Sequence, residues 1–101
     1  MRVYWRKKAI QSLTELDKWR IAMDLPKIGR FLQLNIESYF KHQDFSIHIP
    51  GKTVYIKGLP IELRMVLLSV GKSEPYKIYY RLTTGIVVIF LVKHPRQKPL
   101  T

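Results

Sequence analysis

The first half of the chain has apolar residues at helical spacing. Between residues 7 and 23 they recur at steps of three and four, so they share one face of a helix. That face consists of Ala9, Leu13, Leu16, Trp19 and Met23. Asp24-Leu25-Pro26 interrupts the pattern, because Asp caps helices and Pro is tolerated in a first helical turn. A second helix is predicted from there to about Lys41, giving a helical hairpin. Its apolar face consists of Ile28, Phe31, Leu32, Ile36, Tyr39 and Phe40.

After Asp44 the pattern becomes that of short strands. Residues 46–49 and 53–56 are predicted to be extended, and residues 3–5 to form a short first strand. Three longer strands are predicted at 62–68, 76–82 and 86–92. The short Gly-containing links between these three favour antiparallel hairpins. The predicted fold is α+β, with an N-terminal strand and a two-helix hairpin packed on an antiparallel sheet, in the order β-α-α-β-β-β.

The length and the net charge of the chain indicate the number of domains and the kind of partner. The 101 residues are enough for one domain, which we assign to residues 1–101. The net charge of +11 predicts attraction to phosphates, acidic proteins or anionic surfaces. Residues 76–101 contain no acid and have five Lys or Arg: Lys77, Arg81, Lys93, Arg96 and Lys98.

The chain offers no thiol chemistry and no membrane-spanning segment. It has no cysteine, which excludes disulfides and thiolate catalysis. The first eight residues lack the apolar stretch of a signal peptide, and the longest apolar run, 86–92, is too short to span a membrane. We therefore expect a soluble, cytoplasmic protein.

Alternation along the predicted strand 76–82 sends Lys77, Tyr79 and Arg81 to one face. Cations hold phosphates and a tyrosine ring stacks on an unpaired base, so this row suits nucleic acid. The alternative interpretation is a solvated outer face with a tyrosine that merely packs.

The segment after the last strand combines cations with a histidine. Lys93, Arg96 and Lys98 surround His94, whose side chain titrates near neutral pH. This pattern suits a phosphate clamp with a general base. The alternative is a frayed basic C-terminus.

No cofactor or metal site is predicted. Gly51-Lys52-Thr53 is similar to the end of a phosphate-binding loop, but Ser46 stands where that motif needs glycine. His42, Asp44 and His48 match no zinc spacing and lack a fourth ligand nearby.

The predicted sheet resembles the C-terminal half of RelE/ParE superfamily toxins. The resemblance rests on residues 74–82, with a Tyr-Arg pair at Tyr80-Arg81, and on the apolar strand and basic end at 84–96. Leu63-Arg64 stands where many members carry Leu-Arg. The helical part is similar more loosely, through Ile21-Ala22, Pro26 and Arg30-Phe31-Leu32.

This resemblance implies the toxin of a bacterial type II toxin–antitoxin pair. Its partner would be a cognate antitoxin with an acidic segment. The expected assembly is a toxin homodimer or a toxin–antitoxin hetero-oligomer. RelE-like members cut mRNA on the ribosome, whereas ParE-like members poison DNA gyrase. Carried over, the candidate catalytic residues are Lys77, His94 and Arg96. The candidate nucleic-acid or target-binding residues are Arg64, Tyr79, Arg81, Lys93 and Lys98.

Departures from the RelE-like pattern favour the ParE-like branch. Lys77 stands where RelE-like enzymes have an Arg and lacks its bidentate fork. The preceding strand reads Met65-Val66-Leu67-Leu68 and has no lysine pair. The alternatives are a metal-independent, ribosome-dependent endoribonuclease, a non-enzymatic basic nucleic-acid-binding module and an inactive toxin homologue.

Overall fold

The computed structural model describes residues 1–72 and 74–97. These residues form two helices and five strands, in agreement with an α+β fold. In chain order the elements are β1 (Arg2–Trp5), α1 (Lys7–Ala22), α2 (Gly29–Lys41), β2 (Lys52–Tyr55), β3 (Glu62–Leu68), β4 (Tyr76–Thr83) and β5 (Ile86–Lys93).

The five strands form one mixed sheet in the order β1-β5-β4-β3-β2. β1 is parallel to β5, and the other neighbours are antiparallel. The prediction of a purely antiparallel sheet is therefore wrong. Short glycine turns require antiparallel pairing only within β3-β4-β5, whereas the long stretch of chain between β1 and β5, which contains both helices and three strands, permits parallel pairing. The predicted order also omits β2, although extended backbone was expected at 53–56.

The helices cover one face of the sheet, which we call the inner face. Ala9, Leu13 and Leu16 of α1 are buried there, as the spacing predicts. From α2 the buried residues are Leu32, Ile36 and Phe40. Phe31 and Met23, both expected on the apolar faces, are instead 55% and 47% exposed. Phe31 precedes Leu32 by one residue, which turns its side chain about 100° away from the core.

The second helix begins later than the sequence predicts, and a residue of α1 explains why. The Asp17 carboxylate accepts the backbone N–H groups of Ile28 and Gly29, each at 2.8 Å. It therefore serves donors that the first turn of α2 leaves unpaired. A Cβ at position 29 would lie 2.7 Å from Asp17 Oδ2, so a larger residue there would have to displace the carboxylate. Asp24, expected to cap the helix, instead has φ 62° in the joint.

The pairing of β5 with β4 contains one irregularity. Tyr79 pairs with Leu91 and Tyr80 pairs with Ile89, so Phe90 is the extra residue of a bulge. Phe90 is only 7% exposed, yet it lies outside the main core cluster. The Arg6 guanidinium lies over its ring, 4.2 Å from the centroid.

The segment before β2 is a turn and not the extended piece predicted at 46–49. It is held by Arg64, which donates to the carbonyl oxygens of Ile49 at 3.0 Å, Pro50 at 3.2 Å and Gly51 at 2.7 Å. Gly51 has φ 88°, and a Cβ there would approach the Met65 carbonyl oxygen to 2.4 Å. This close backbone approach permits only glycine. Neither helix of the described chain has the length and apolar content that a membrane crossing requires.

Candidate functional site

The row predicted on β4 lies on the outer face of the sheet, the one that the helices do not cover. Tyr76, Ile78 and Tyr80 are buried on the inner face, and Lys77 and Tyr79 alternate with them in half-buried positions. Arg81 continues the row and is exposed. We call Lys77, Tyr79, Arg81 and Lys93 the outer row.

Two lysines of the outer row face each other across neighbouring strands. Lys77 is the cross-strand partner of Lys93, and on its other side it pairs with Leu67, which is 53% exposed. Like charges placed directly opposite destabilise a sheet. Within residues 1–72 and 74–97, the side-chain ion pair is between Arg96 and Glu74. No carboxylate of those residues therefore pairs with Lys77 or Lys93. The pair is therefore an unbalanced positive charge beside an apolar side chain.

Tyr79 lies beside this lysine pair, in an apolar setting. Its cross-strand partners are Met65 on β3 and Leu91 on β5. Partial burial raises the pKa of its phenol, which keeps the hydroxyl protonated at neutral pH. A neutral ring between two apolar neighbours, with cations on both sides along β4, suits a partner that is anionic and partly apolar.

His94 lies on the other side of the sheet, among aromatic rings. It is 8% exposed, with the Trp19 ring centroid at 5.0 Å and that of Tyr76 at 5.2 Å. Burial lowers the pKa of His94; the Arg96 and Arg20 charges lower it further, and Glu74 acts in the opposite direction. The imidazole is therefore neutral at pH 7.

The backbone fixes the tautomer of this imidazole. The Arg96 backbone N–H donates to His94 Nδ1 at 3.1 Å. A neutral ring that accepts at Nδ1 carries its proton on Nε2, so it has no free lone pair with which to take a proton. The loop around it is closed by Gln97, which accepts the His94 N–H at 2.7 Å and donates its own N–H to the His94 carbonyl oxygen at 3.0 Å.

His94 lines a surface pocket of about 330 Å³ near the end of α1. Arg20 is fixed there by bonds to the Pro26 carbonyl oxygen at 2.7 Å and the Tyr76 hydroxyl at 3.1 Å. Arg96 Nε donates to Glu74 Oε1 at 2.9 Å. With Lys72, these side chains form a pocket that has cations, one acid and a neutral histidine, an arrangement suited to holding an anion rather than to moving a proton.

The three candidate catalytic residues do not form one site. His94 and Arg96 are brought together, whereas Lys77 lies on the opposite face of β4. His94 comes after the end of β5, where strand alternation no longer predicts direction. Arg64 is engaged by the carbonyl oxygens of 49–51, so it supports that turn. It also lines a surface pocket together with Arg81 of the outer row. Lys98 lies outside the described residues.

Sequence reasoning missed several residues of the His94 pocket. Trp19 was assigned only to the helix core, and Arg20 and Lys72 to no role. Glu74 had an available signal, since it is the only acid after Glu62. Within the described residues, no group of three or more His, Asp or Glu is arranged to hold a metal ion.

Comparisons of the chain with protein-family models, with curated proteins and with solved structures find no match. The fold and the site define a basic α+β protein that has a neutral, enclosed histidine and a cationic outer row with no ion pair among the described residues.

Proposed function

We propose that the protein is a growth-inhibiting toxin of the RelE/ParE superfamily that acts by binding its target, DNA gyrase, as ParE-like members do, without cutting RNA. The observation that carries this proposal is the separation of Lys77 from His94 and Arg96 by the thickness of the sheet. The sequence resemblance supplies the superfamily, and the separated residues favour its non-cleaving branch.

Cleavage of RNA through the 2′-hydroxyl needs a base, an acid and charge stabilisation around one phosphate. His94 is a poor base, since Nδ1 accepts a backbone N–H and burial favours the neutral ring. Lys77 faces away from it. Arg96 is held by Glu74, which reduces the charge it offers to a phosphate. These contacts disfavour the endoribonuclease alternative.

The outer row is the proposed target-binding surface. Lys77 and Lys93 face each other unneutralised among the described residues, next to exposed Leu67 and half-buried Tyr79. An acidic surface on the target would relieve the repulsion between the lysines and cover Leu67. The two like charges lower the stability of the free protein, and in this proposal they give it charge complementarity to the target.

The proposal brings a cellular setting with it. A toxin of this kind is cytoplasmic and is neutralised by a cognate antitoxin whose acidic segment answers the net charge of +11. Toxin and antitoxin would form a hetero-oligomer, and the toxin alone is a monomer or homodimer.

Inducible expression in a bacterial host tests this function. We expect growth arrest with DNA-damage signalling, while protein synthesis continues in the first minutes. Lys77→Glu combined with Lys93→Glu should remove the arrest, because the target-binding charge is reversed. Lys41→Glu, an exposed charge reversal at the end of α2, is the matched control and should still arrest growth. Early loss of translation with ribosome-dependent mRNA cuts would instead establish the ribonuclease branch.

A second candidate is a non-enzymatic nucleic-acid-binding module, favoured by the row of cation, aromatic ring and cation on β4. It predicts no growth arrest at good expression, and binding to single-stranded nucleic acid that weakens steeply as salt rises. The absence of both arrest and nucleic-acid binding would leave the inactive homologue as the surviving interpretation.

A further inference from the structure

A second cleft lies on the molecule, away from the His94 pocket. It has a volume of about 260 Å³ and is bounded by the start of α1, by β5 and by the loop that joins β2 to β3. Neither the outer row nor the residues around His94 line it.

The cleft has an apolar lining, which we call its floor. Leu91 of β5 and Ile56 and Leu59 of the β2–β3 loop contribute to it, together with Phe90, one face of whose ring is covered by the Arg6 guanidinium. Phe90 is the extra residue of β5 at the bulge opposite Tyr79 and Tyr80.

The rim of the cleft is cationic. Arg6, Lys8 and Lys57 line it, and no carboxylate is among the described residues that do so. The Arg6 guanidinium is held over the Phe90 ring at 4.2 Å, so its direction is set before any ligand arrives. A cation fixed by stacking loses little freedom on binding an anion.

The β2–β3 loop is closed by its own hydrogen bonds. Leu59 N–H donates to the Ile56 carbonyl oxygen at 3.0 Å, and Ile61 N–H donates to the Leu59 carbonyl oxygen at 2.9 Å. Gly58 adopts φ 83° in this turn, with open space where a Cβ would stand. The loop is therefore a defined turn that holds Lys57 at the rim.

We propose that this cleft binds a phosphate monoester that carries a flat ring system, of about the size of a nucleoside monophosphate. Three cations on one rim suit the two charges of a phosphate monoester better than the single charge of a carboxylate. The apolar floor suits a ring. The volume is slightly below the usual range for small-ligand pockets, about 300–1,000 Å³, which favours a compact ligand over a large cofactor.

Calorimetric titration of the full chain with AMP, inorganic phosphate and adenosine tests the site. AMP should bind at least about tenfold more tightly than either of the other two, since each lacks one half of the recognised chemistry. Lys8→Ala and Lys57→Ala should each weaken AMP binding about tenfold, the loss expected for one charge-assisted contact. Both side chains are exposed, so the variants should fold; Lys41→Ala is the control and should leave binding unchanged.

Two results would overturn the assignment: inorganic phosphate binding as tightly as AMP, or AMP affinity unaltered in both rim variants. The site shares no residue with the outer row. AMP binding can therefore fail while growth arrest persists, and growth arrest can fail while AMP binding persists.

Discussion

Neighbouring residues of the same strands have contrasting environments on the two faces of the sheet. On the inner face, Tyr76 and Tyr80 are fully buried and His94 is enclosed by rings. On the outer face, Lys77 follows Tyr76 by one residue and Lys93 precedes His94 by one residue. These lysines face each other, and no carboxylate among the described residues pairs with either. Stability accounts for the inner arrangement. It does not account for the outer one, where two like charges lie opposite each other, and this difference is why we propose target recognition for the outer face.

The largest expected effect comes from truncating the inner face. Leu16→Ala removes a fully buried side chain and should lower the free energy of unfolding by about 2–5 kcal/mol. Leu67→Ala makes the same change at a side chain that is 53% exposed on the outer face, and should cost less than about 1 kcal/mol. Urea denaturation of both variants measures the contrast. Equal losses would mean that the outer face is packed as a second core.

Reversing one charge of the outer row should sharpen the comparison. Lys77→Glu turns a like-charge cross-strand pair into an opposite-charge pair, so the free energy of unfolding should rise by about 0.2–1 kcal/mol. Growth inhibition should weaken at the same time. Measuring urea denaturation and growth on the same variant separates the two effects, with Lys41→Glu as the control. A destabilised Lys77→Glu protein would refute the repulsion argument.

The smallest effect concerns pH and belongs to His94. Its pKa in the folded protein lies below the ordinary value of about 6.5, chiefly because the ring is buried. The unfolded chain therefore binds the proton more readily. The histidine's contribution is fully present above about pH 6.5 and is lost as pH falls towards the lower, folded-state pKa.

His94→Asn should flatten this part of the stability profile between pH 7 and pH 5, as followed by urea denaturation at each pH. His42, which is exposed on the C-cap of α2, offers a matched control in His42→Asn. A steeper fall in the His94 variant than in the parent protein would show that another group governs the acid response.

Much of the fold follows from local patterns in the sequence. Period-three-and-four spacing gives α1 to within one residue at its end, and alternation with glycine turns gives β3, β4 and β5. The parallel pairing of β1 with β5 does not follow, because four extended residues carry no information about their partner. The start of α2 was also missed, since its capping group, Asp17, comes from another helix.

The face of the sheet on which a candidate side chain lies was predictable only for residues within a strand, because alternation decides it there. Alternation correctly assigns Lys77, Tyr79 and Arg81 to one face. It says nothing of His94 and Arg96, which follow the end of β5 and are positioned by Gln97, Trp19 and Glu74. Arg64 was assigned to target binding because Leu63-Arg64 matches the Leu-Arg of the RelE/ParE resemblance, whereas in the structure it donates to three carbonyl oxygens of the nearby turn.

The central claim, action on gyrase by binding through the outer row, is tested most directly with purified components. The protein is incubated with DNA gyrase and supercoiled plasmid, and in parallel with ribosomes carrying mRNA. We predict that gyrase-cleaved linear plasmid accumulates, that Lys77→Glu combined with Lys93→Glu abolishes this, and that the mRNA stays intact. Uncleaved plasmid together with mRNA cuts that disappear in His94→Asn would contradict the account.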